Sequence, residues 1–595
     1  MLARLYLLRL VTSHTFLYKN LDEYGADHDK EVLDRVAAQG QLLAQNHHKN
    51  PTEENPEEAD PLAQVVVIPD SGRKIVFDNI DYNQKVHYMT EQHQNVDHHY
   101  VTYMSVENCV SGNHLSDELP TGEVMKMENG KCIPSSADNV FLGIYENEND
   151  ANRIIKILQQ FHKFVPCNAD QEDNVYGNQG VVGDQLSVER AINGKMVAFN
   201  NLYNISSSGD KCTMYSDCNL INRRNVKSDV SAAENACRRF FKIEVESRVI
   251  AGALAVLEMD SLDEDKEIFS YKDETSKEEK MEFLRKTATA VVERFVIDQE
   301  RNDKILTYVQ LIQQCTDAKR SVNGEGRYPC RYKGCQKTFA FDRKHRRQHE
   351  MQHPQPEVNE YEIANVICDT TIDEDERDDM FAYQRALLDY GMLLLNLWDG
   401  ISEGDGERVI RCWKFFLMCL KHQGTSANKY SLEALYLMFQ LYALLSPKES
   451  HHLIWNRFVK NKHGQFGNIS LDLNLEFKNK LVKEAIKHLG PSASKKSLDR
   501  ICHSLGVTAD LMAVFDTNLS IYKKSGKHIK KSTKGDLEKV VNELLTQKAF
   551  YHTPGREYTF YKNIKPSILN GFDLHKLCTW INEHKKHMIL NRHAR

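Results

Sequence analysis

The stretch CRYKGCQKTFAFDRKHRRQHEMQH, residues 330–353, decides the fold of its part of the chain. Cys330 and Cys335 are close enough in the sequence for a tight turn to bring their thiolates together, and His349 and His353 are about one helical turn apart. Two thiolates and two imidazoles form a tetrahedral donor set that suits Zn²⁺. Metal binding can supply most of the folding free energy of so small a unit. The spacing therefore predicts a zinc site formed by Cys330, Cys335, His349 and His353.

The surrounding segment, residues 327–356, resembles the two-cysteine, two-histidine zinc finger. The resemblance includes an aromatic residue, Phe339, four positions after the second cysteine. One departure is the spacing of thirteen residues between Cys335 and His349, where the family usually has twelve. Another is Arg346, which occupies the position of the usual core leucine. The sequence therefore predicts a finger whose apolar core is weaker than normal.

The same segment is strongly basic. From residue 327 to residue 353 there are eight Lys or Arg against Asp342 and Glu350. Such a patch attracts the phosphate backbone of nucleic acids with an affinity that falls as salt rises. A single finger reads about 3 bp, so weak contact with DNA is the expectation. The alternative is a zinc ion that only braces a larger domain. The candidate nucleic-acid contacts are Arg343, Lys344, Arg346 and Arg347.

Composition limits the other possibilities. The chain has 595 residues, 41% of them hydrophobic, and a net charge of −7 that gives little information about partners. Its fourteen cysteines show no regular spacing outside the finger, which favours reduced thiols and a nuclear or else cytoplasmic protein. No apolar stretch is long enough to cross a membrane, so no membrane association is expected. A lysine-rich run at 523–534 is either a solvated loop, a nuclear import signal or a nucleic-acid contact.

The chain is expected to have an α/β amino-terminal part, an inserted zinc finger and a mostly α-helical carboxy-terminal part. Short β-like runs occur at 74–77, 100–106 and 181–183, whereas apolar residues recur with helical period after residue 380. A carboxylate-rich stretch at 357–379 is typical of a solvated linker. The expected division is a poorly defined segment and linker at 1–62, an α/β core with a helical region at 63–320, the finger at 327–356, the acidic linker at 357–379 and a helical domain at 380–595.

Carboxylates follow two of the β-like runs and enter one late helix. Asp78 and Asp81 follow the first run, Asp184 follows the run at 181–183, and Glu476 begins an amphipathic helix. Carboxylates in such places can hold the two divalent cations of a phosphoryl-transfer site. The alternative is that each of them only caps a helix or forms a turn.

Several longer runs resemble an uncharacterised family of animal zinc-finger proteins that share a domain of unknown function. These runs are DNID (78–81), GDQLSVERA (183–191), INRRNV (221–226), EGDGERVIRCWKFFL (403–417), HHLIWNRFVKNKHGQFGNISLDLNLEFKN (451–479) and PGREYTF (554–560). The multiplied, mobile-element-like character of that family implies descent from a DNA transposase with a ribonuclease H-like core. By this resemblance Asp78 or Asp81, together with Asp184 and Glu476, would form the acidic triad and bind Mg²⁺ or Mn²⁺. This chain lacks the Asp-Trp-His element that members carry after the GDQL run, so catalysis is not the leading expectation.

Three functions remain open at this point. The first is a zinc-binding, transposon-derived nuclear protein that contacts nucleic acid weakly. The second is an active or relict metal-dependent transposase or nuclease. The third is an interaction scaffold, in which zinc only braces the finger and the helical carboxy-terminal half binds another protein.

Overall fold

The computed structural model describes most of the helical regions and about half of the segments between them. The described residues are 14–48, 72–118 without 86–87 and 92–93, 140–144, 156–165 without 158, 167–168, 171–175, 180–182, 210–223, 234–264, 276–297, 327–353 without 331–334, 341–343 and 351, 376–422, 428–461, 466–489, 494–518, 532–567 without 560 and 563, and 576–584 without 578, 579 and 582.

Strands are concentrated early in the chain, and helices follow. Up to residue 182 the elements are α1 (His14–Ala26), α2 (Lys30–His48), β1 (Arg73–Gln84), β2 (Val96–Glu107), β3 (Val140–Ile144), β4 (Cys167–Asn168), β5 (Gln171–Val175) and β6 (Gly180–Val182). Between residues 210 and 353 they are α3 (Met214–Leu220), α4 (Glu234–Val256), α5 (Lys277–Phe295), β7 (Tyr328–Pro329), β8 (Thr338–Phe339) and α6 (Lys344–Glu350). From residue 376 they are α7 (Asp379–Glu403), α8 (Gly406–His422), α9 (Asn428–Phe439) with a π-helical turn (Gln440–Leu444), α10 (Pro447–Trp455), β9 (Phe458–Lys460), β10 (Asn468–Ser470), α11 (Leu471–Leu489), α12 (Lys495–Asn518) and α13 (Lys534–Thr546).

The chain forms two compact units, and neither is a single stretch of sequence. Unit one comprises residues 1–191, 396–414 and 436–530, and unit two comprises residues 192–395, 415–435 and 531–595. This arrangement differs from the linear division expected from composition. The reason is that helix α11, which follows the whole middle of the chain, packs on the early strands.

Unit one is built around a four-stranded sheet with the strand order β3-β2-β1-β6. Strands β1, β2 and β3 are antiparallel neighbours, whereas β6 runs parallel to β1 with Val182 beside Val76. The twelve residues of β1 pair with β2 over their full length. Asp78 and Asp81 were expected to follow a short strand. The structure corrects this, since both lie within β1.

Successive side chains of β1 and β2 point to opposite faces of the sheet, and both faces are buried. On one face Val76, Ile80 and Met104 pack against α11 and α12. On the other face Ile75 and Tyr103 pack against α2 and the helical turn before residue 165. Since both faces are covered, β2 is buried continuously from Val101 to Val106, including the hydroxyl side chains of Thr102 and Ser105.

Unit two is predominantly helical in its described part. Helix α4 packs against α5 and α13, and an apolar cluster of Leu254, Met259 and Val541 joins α4 to α13. Helix α7 lies so close to α4 that a Cβ atom at Gly391 would overlap the Val245 side chain. Glycine at this position therefore allows the two helices to approach each other.

The helical periodicity found in the sequence is confirmed for its strongest segments. The segments beginning at Phe381, Arg408, Tyr430 and Leu473 fall within α7, α8, α9 and α11. Trp398, Trp413 and Trp455 are buried, as expected for core residues. Asp405 caps the start of α8, because its side chain accepts a hydrogen bond from the backbone N–H of Arg408 at 3.0 Å.

The end of the acidic segment differs from the expectation. Residues 354–375 lie outside the described part, but Asp378 and Asp379 are buried rather than solvated. Arg556 donates to both carboxylate oxygens of Asp378, at 2.9 and 2.6 Å. These two acids therefore fix the start of α7 to the segment near residue 556. No described helix is long and apolar enough to cross a membrane.

Candidate metal centre

Residues 327–353, called the Cys/His module below, form a short hairpin followed by a helix. Strands β7 and β8 are antiparallel, with Tyr328 opposite Phe339. The backbone N–H of Cys330 donates to the carbonyl of Lys337 at 2.8 Å, which closes the hairpin beyond the strands. Cys330 and Cys335 belong to the described part of the hairpin, and helix α6 with the turn after it carries the two histidines.

The structure brings the four predicted ligands together. One ligand atom from each of Cys330, Cys335, His349 and His353 lies within 4.8 Å of all the others. The Sγ atom of Cys335 is 3.3 Å from Nε2 of His349, which is 3.1 Å from Nε2 of His353. A tetrahedron with metal–ligand bonds of about 2.0–2.3 Å has edges of about 3.3–3.8 Å. The four groups can therefore hold one tetrahedral metal ion with little movement.

The surroundings of His349 favour its neutral, metal-binding form. Its imidazole ring packs against the ring of Phe339, and the two ring centroids are 5.4 Å apart. Desolvation lowers the pKa of His349, and the nearby Lys337 and His353 lower it further. A metal ligand must be deprotonated at the coordinating nitrogen, so this shift helps metal binding at neutral pH.

Arg346 occupies the interior of the module. Its side chain is fully buried, and Nη2 donates to the carbonyl oxygen of Pro329 at 2.6 Å. Its Nε lies 3.2 Å from Oε1 of Glu350, one turn later in α6. The guanidinium carbon is also 5.7 Å from the ring centroid of Tyr328. The expected contact of Arg346 with phosphate is therefore corrected, because its donors point inward.

The other predicted nucleic-acid contacts are described only in part. Arg343 lies outside the described residues, and for Lys344 and Arg347 the structure gives the helix but not the side-chain environment. Arg327 and Lys337, which were not singled out, are exposed basic residues of the hairpin. The Nε of Arg327 donates to Oγ1 of Thr338 at 3.0 Å, and this bond holds the arginine side chain along the hairpin.

The four carboxylates proposed for a second site have different surroundings. Asp78 is buried on the face of β1 that packs against α11. Asp81 lies three positions further along the strand, half exposed, and pairs with His99 at 2.8 Å. Successive side chains alternate between faces of a strand, so Asp78 and Asp81 point to opposite sides of the sheet. Asp184 lies outside the described residues, and Glu476 is half-buried on α11.

Asn479, rather than Glu476, is the α11 residue shown in contact with Asp78. The Nδ2 of Asn479 donates to Oδ2 of Asp78 at 3.0 Å, and Oγ1 of Thr102 donates to Oδ1 of Asn479 at 2.5 Å. Glu476 precedes Asn479 by three residues, which places it nearly one turn away along the helix. Sequence reasoning missed Asn479. It follows Glu476 by three residues, so helical geometry could have placed both on the same side of α11.

A buried lysine at the start of β1 was also missed. Lys74 donates to the backbone carbonyls of His452 and Asn456, the latter at 3.1 Å, at the end of α10. Burial, together with the charge of the neighbouring Arg457, lowers the pKa of Lys74 to about 7. A lysine at a helix carboxyl terminus satisfies carbonyls that have no partner within the helix. These contacts identify Lys74 as a helix cap.

Unit two contains a second buried arginine with two carboxylates. Arg248 of α4 donates to Glu244 at 2.8 Å, to Asp217 at 3.1 Å and to the side chain of Gln384 at 2.8 Å. It also donates to the carbonyl of Cys212 at 2.9 Å. We call Arg248, Asp217, Glu244 and Gln384 the Arg248 network. All four side chains are fully buried, so the network fixes α3, α4 and α7 to one another.

Burial raises the pKa values of both acids of the Arg248 network, Asp217 and Glu244. Burial raises the pKa of Glu244 well above its usual value, and the neighbouring Asp217 raises it further. Burial also raises the pKa of Asp217, although the charge of Arg248 opposes that shift. If Glu244 carries a proton, the network contains one anion, Asp217, beside one cation, Arg248. A neutral pair of this kind costs less to bury than a site with a net charge.

Comparison with known proteins gives one match. No curated protein and no solved structure matches the chain. The model of a family of unknown function (DUF6589) matches residues 191–528, which include the Cys/His module and most of the helices from α3 to α12. The match leaves out the runs DNID (78–81) and PGREYTF (554–560), on which part of the family resemblance was based, and covers more than half of the chain. The chain therefore belongs to the DUF6589 family.

Proposed function

We propose that this protein is a nuclear zinc-binding protein that contacts nucleic acid weakly through its Cys/His module. The observation that carries the proposal is the convergence of two thiols and two imidazoles within 4.8 Å. Zn²⁺ prefers four such ligands in tetrahedral arrangement, and a site closed by four protein ligands is structural rather than catalytic. Zinc would then hold the hairpin and α6 in one arrangement.

The basic character of the module supports the nucleic-acid part of the proposal. With Arg346 bonded inside, the exposed hairpin residues Arg327 and Lys337 are available to phosphate. The sequence adds Arg343, Lys344 and Arg347 as candidates. Contacts of this kind act through the phosphate backbone and carry no sequence information by themselves. We therefore expect binding with little sequence preference and a strong dependence on salt.

The first experiment measures metal in the purified full-length chain by elemental analysis. We expect about one zinc per chain in the wild type, and none retained after dialysis in C335S. The matched control is C109S, because Cys109 is a partly exposed cysteine outside the module. Equal zinc contents in wild type and C335S would contradict the proposed site.

The second experiment measures binding of a labelled DNA duplex by fluorescence anisotropy as a function of salt. We expect log K to fall linearly with log salt and the affinity to drop in a variant that combines R343Q, K344Q and R347Q. The C335S variant should lose the same binding, since the module no longer folds. Binding that survives in C335S would place the nucleic-acid contact elsewhere and favour a metal ion that only braces the domain.

A second candidate function rests on the sheet of unit one. In this sheet three antiparallel strands are followed by a fourth strand that runs parallel to the first. A ribonuclease H-like sheet begins in the same way, and this likeness supports the transposase origin implied by the sequence resemblance. Asp78 lies on the strand beside β6, and α11, which also carries Glu476, brings Asn479 to it. Asp184 follows β6 by two residues in the sequence. In this candidate function, these acids hold Mg²⁺ or Mn²⁺ for phosphodiester cleavage.

Nicking of supercoiled DNA in the presence of Mg²⁺ or Mn²⁺ tests the second candidate. Activity should disappear in D78N and in E476Q but persist in D81N, because Asp81 lies on the other face of the sheet and pairs with His99. Circular dichroism of each variant shows whether it remains folded. Wild-type protein without metal-dependent nicking, or equal loss in D78N and D81N, would rule this function out.

A further inference from the structure

The interior of the Cys/His module contains a charged bridge where an apolar side chain is usual. The guanidinium of Arg346 joins two places that are far apart in the module's sequence. One is the carbonyl of Pro329, the residue directly before Cys330, and the other is the carboxylate of Glu350, the residue directly after His349. The bridge therefore connects the hairpin strand that carries one thiolate to the helix that carries one imidazole.

The bridge is enclosed. Arg346 is fully buried, and the side chain of Glu350 is 17% exposed. The aromatic ring of Tyr328 lies beside the guanidinium and gives it a cation–π contact in place of water. A buried cation is costly unless its charge is balanced. Here the Glu350 carboxylate forms an ion pair with it, without accepting a hydrogen bond from Nε, and the Pro329 carbonyl accepts a hydrogen bond from Nη2. These three partners come from both halves of the module, so they are satisfied together only when the hairpin and α6 are docked.

We propose that Arg346 is a positioning residue for the metal centre, which holds Cys330 and His349 at metal-binding distance through Pro329 and Glu350. This inference rests on the proposed zinc site. The guanidinium fork is rigid and can serve two acceptors at a fixed spacing, which a lysine ammonium does with less geometric control. Its action is to reduce the conformational freedom that metal binding must remove. Groups outside the ligand set that orient ligands typically change metal affinity by about 10–100-fold.

An apolar residue at position 346 would give the module a different interior. Methionine or leucine can fill the space, but it leaves the carbonyl of Pro329 without this donor and the carboxylate of Glu350 without its cation. A largely desolvated carboxylate that loses its cation is destabilising. We therefore expect R346M to weaken metal binding and R346M/E350Q to recover part of the loss, because the second change removes the stranded charge.

The test is a titration of the full-length, metal-free chain with Co²⁺. Binding is monitored by the visible absorption that the Co²⁺ complex with the thiolates produces. Wild type, R346M, R346K, R346M/E350Q and Q348M are compared, and C335S defines the signal from the other cysteines. Gln348 is an exposed residue on the same helix, so Q348M is the matched control. Zn²⁺ competition then gives the relative affinities.

We expect R346M to bind at least about tenfold more weakly than wild type, with R346K between the two and Q348M unchanged. The shape of the Co²⁺ spectrum should be the same in all of these, because the four ligands are the same. Recovery in R346M/E350Q distinguishes the bridge from a simple loss of packing, which the second change would not restore.

The outcomes separate this inference from the proposed function. A wild-type chain that shows no more signal than C335S would remove the proposed metal site and this inference with it. Equal affinities for wild type and R346M would overturn the positioning role and leave the zinc site intact. A weaker R346M without any recovery in R346M/E350Q would also overturn it, since the Glu350 carboxylate would then have no part in the effect.

Discussion

Arg248 and Arg346 are both completely buried, but they organise the chain over very different distances. Arg248 serves partners from three other places in unit two, and its bond to Gln384 spans 136 positions in the sequence. Arg346 serves two partners within the Cys/His module, and its longest bond spans 17 positions. The first arginine connects helices that a hydrophobic core also joins. The second belongs to a small module in which four candidate metal ligands converge.

The difference teaches what burial of an arginine does in each setting. In the Arg248 network the cation offsets two acids that would otherwise be stranded in the core of unit two, so its removal affects the free energy of unfolding. In the Cys/His module the cation acts on a small hairpin and helix, so its removal affects metal affinity first. The following variants, from the largest expected effect on unfolding to the smallest, examine this contrast.

The R248M variant should lower the free energy of unfolding by about 3–5 kcal/mol, because it leaves Asp217 and Glu244 buried without their cation. Urea denaturation followed by circular dichroism measures the change. The matched control is R239M, since Arg239 is an exposed arginine on the same helix. Similar losses in R248M and R239M would remove the distinction drawn for the network.

The G391A variant tests packing beside the same network without changing any charge. A Cβ at this position overlaps Val245, so α4 and α7 must separate or the valine must change rotamer. We expect a loss of about 1–3 kcal/mol in the free energy of unfolding. G535A is the control, because no atom lies near a Cβ added at Gly535. A neutral result for G391A would show that charge alone, and not close approach, governs this part of unit two.

The E244Q variant should change the pH dependence of stability. Burial raises the folded-state pKa of Glu244, so its stabilising contribution is complete below the unfolded value of about 4.5 and is lost as the pH rises through the folded-state pKa. Glutamine imitates the protonated form and does not titrate. The free energy of unfolding of E244Q relative to wild type should therefore increase as the pH rises above about 4.5, by at most about 1.4 kcal/mol per pH unit.

Urea titrations at several pH values measure this difference. The control is E246Q, because Glu246 is a partly exposed acid on the same helix that pairs with Lys242. Curves for E244Q and wild type that remain parallel over the whole pH range would show that Glu244 does not take up the proton of the pair.

The R346M variant should have the smallest effect on unfolding of the chain, within about 0.5 kcal/mol for the main helical transition. Its effect on metal affinity should nevertheless be the largest of this series. Thermal unfolding followed by helical circular dichroism checks the first expectation, with C335S as the comparison. A loss as large as that of R248M would show that the module contributes to the core of unit two.

Local patterns predicted the parts of this structure that depend on neighbouring residues. The four Cys/His positions could be selected because their spacing alone fixes which side chains a hairpin and a helix bring together, and the long helices could be read from their apolar period. The zinc ion remains a prediction. Asp81 could not be separated from Asp78 without the full length of β1, which decides the face of each side chain.

The contacts that sequence reasoning missed join residues far apart in the chain. Asp217 and Gln384 carry no local mark of their shared partner, although Glu244 and Arg248, one turn apart in a helix that continues as VIAGALAV, were a detectable sign of a buried pair. Asp378 and Asp379 were assigned to a solvated linker because their neighbours are acidic. Their burial depends on Arg556 and Tyr558, which composition cannot reveal.

The bond between Asp78 and Asn479 has a consequence for synthesis of the chain. The two residues are 401 positions apart, and α11 covers one face of β1 and β2. At about 5–20 residues per second, a ribosome needs roughly 20–80 s to deliver α11 after β1 has emerged. During that interval Val76, Ile80 and Met104 lack their native cover. Chaperones that bind exposed apolar strands therefore have a long window in which to act on this nascent protein.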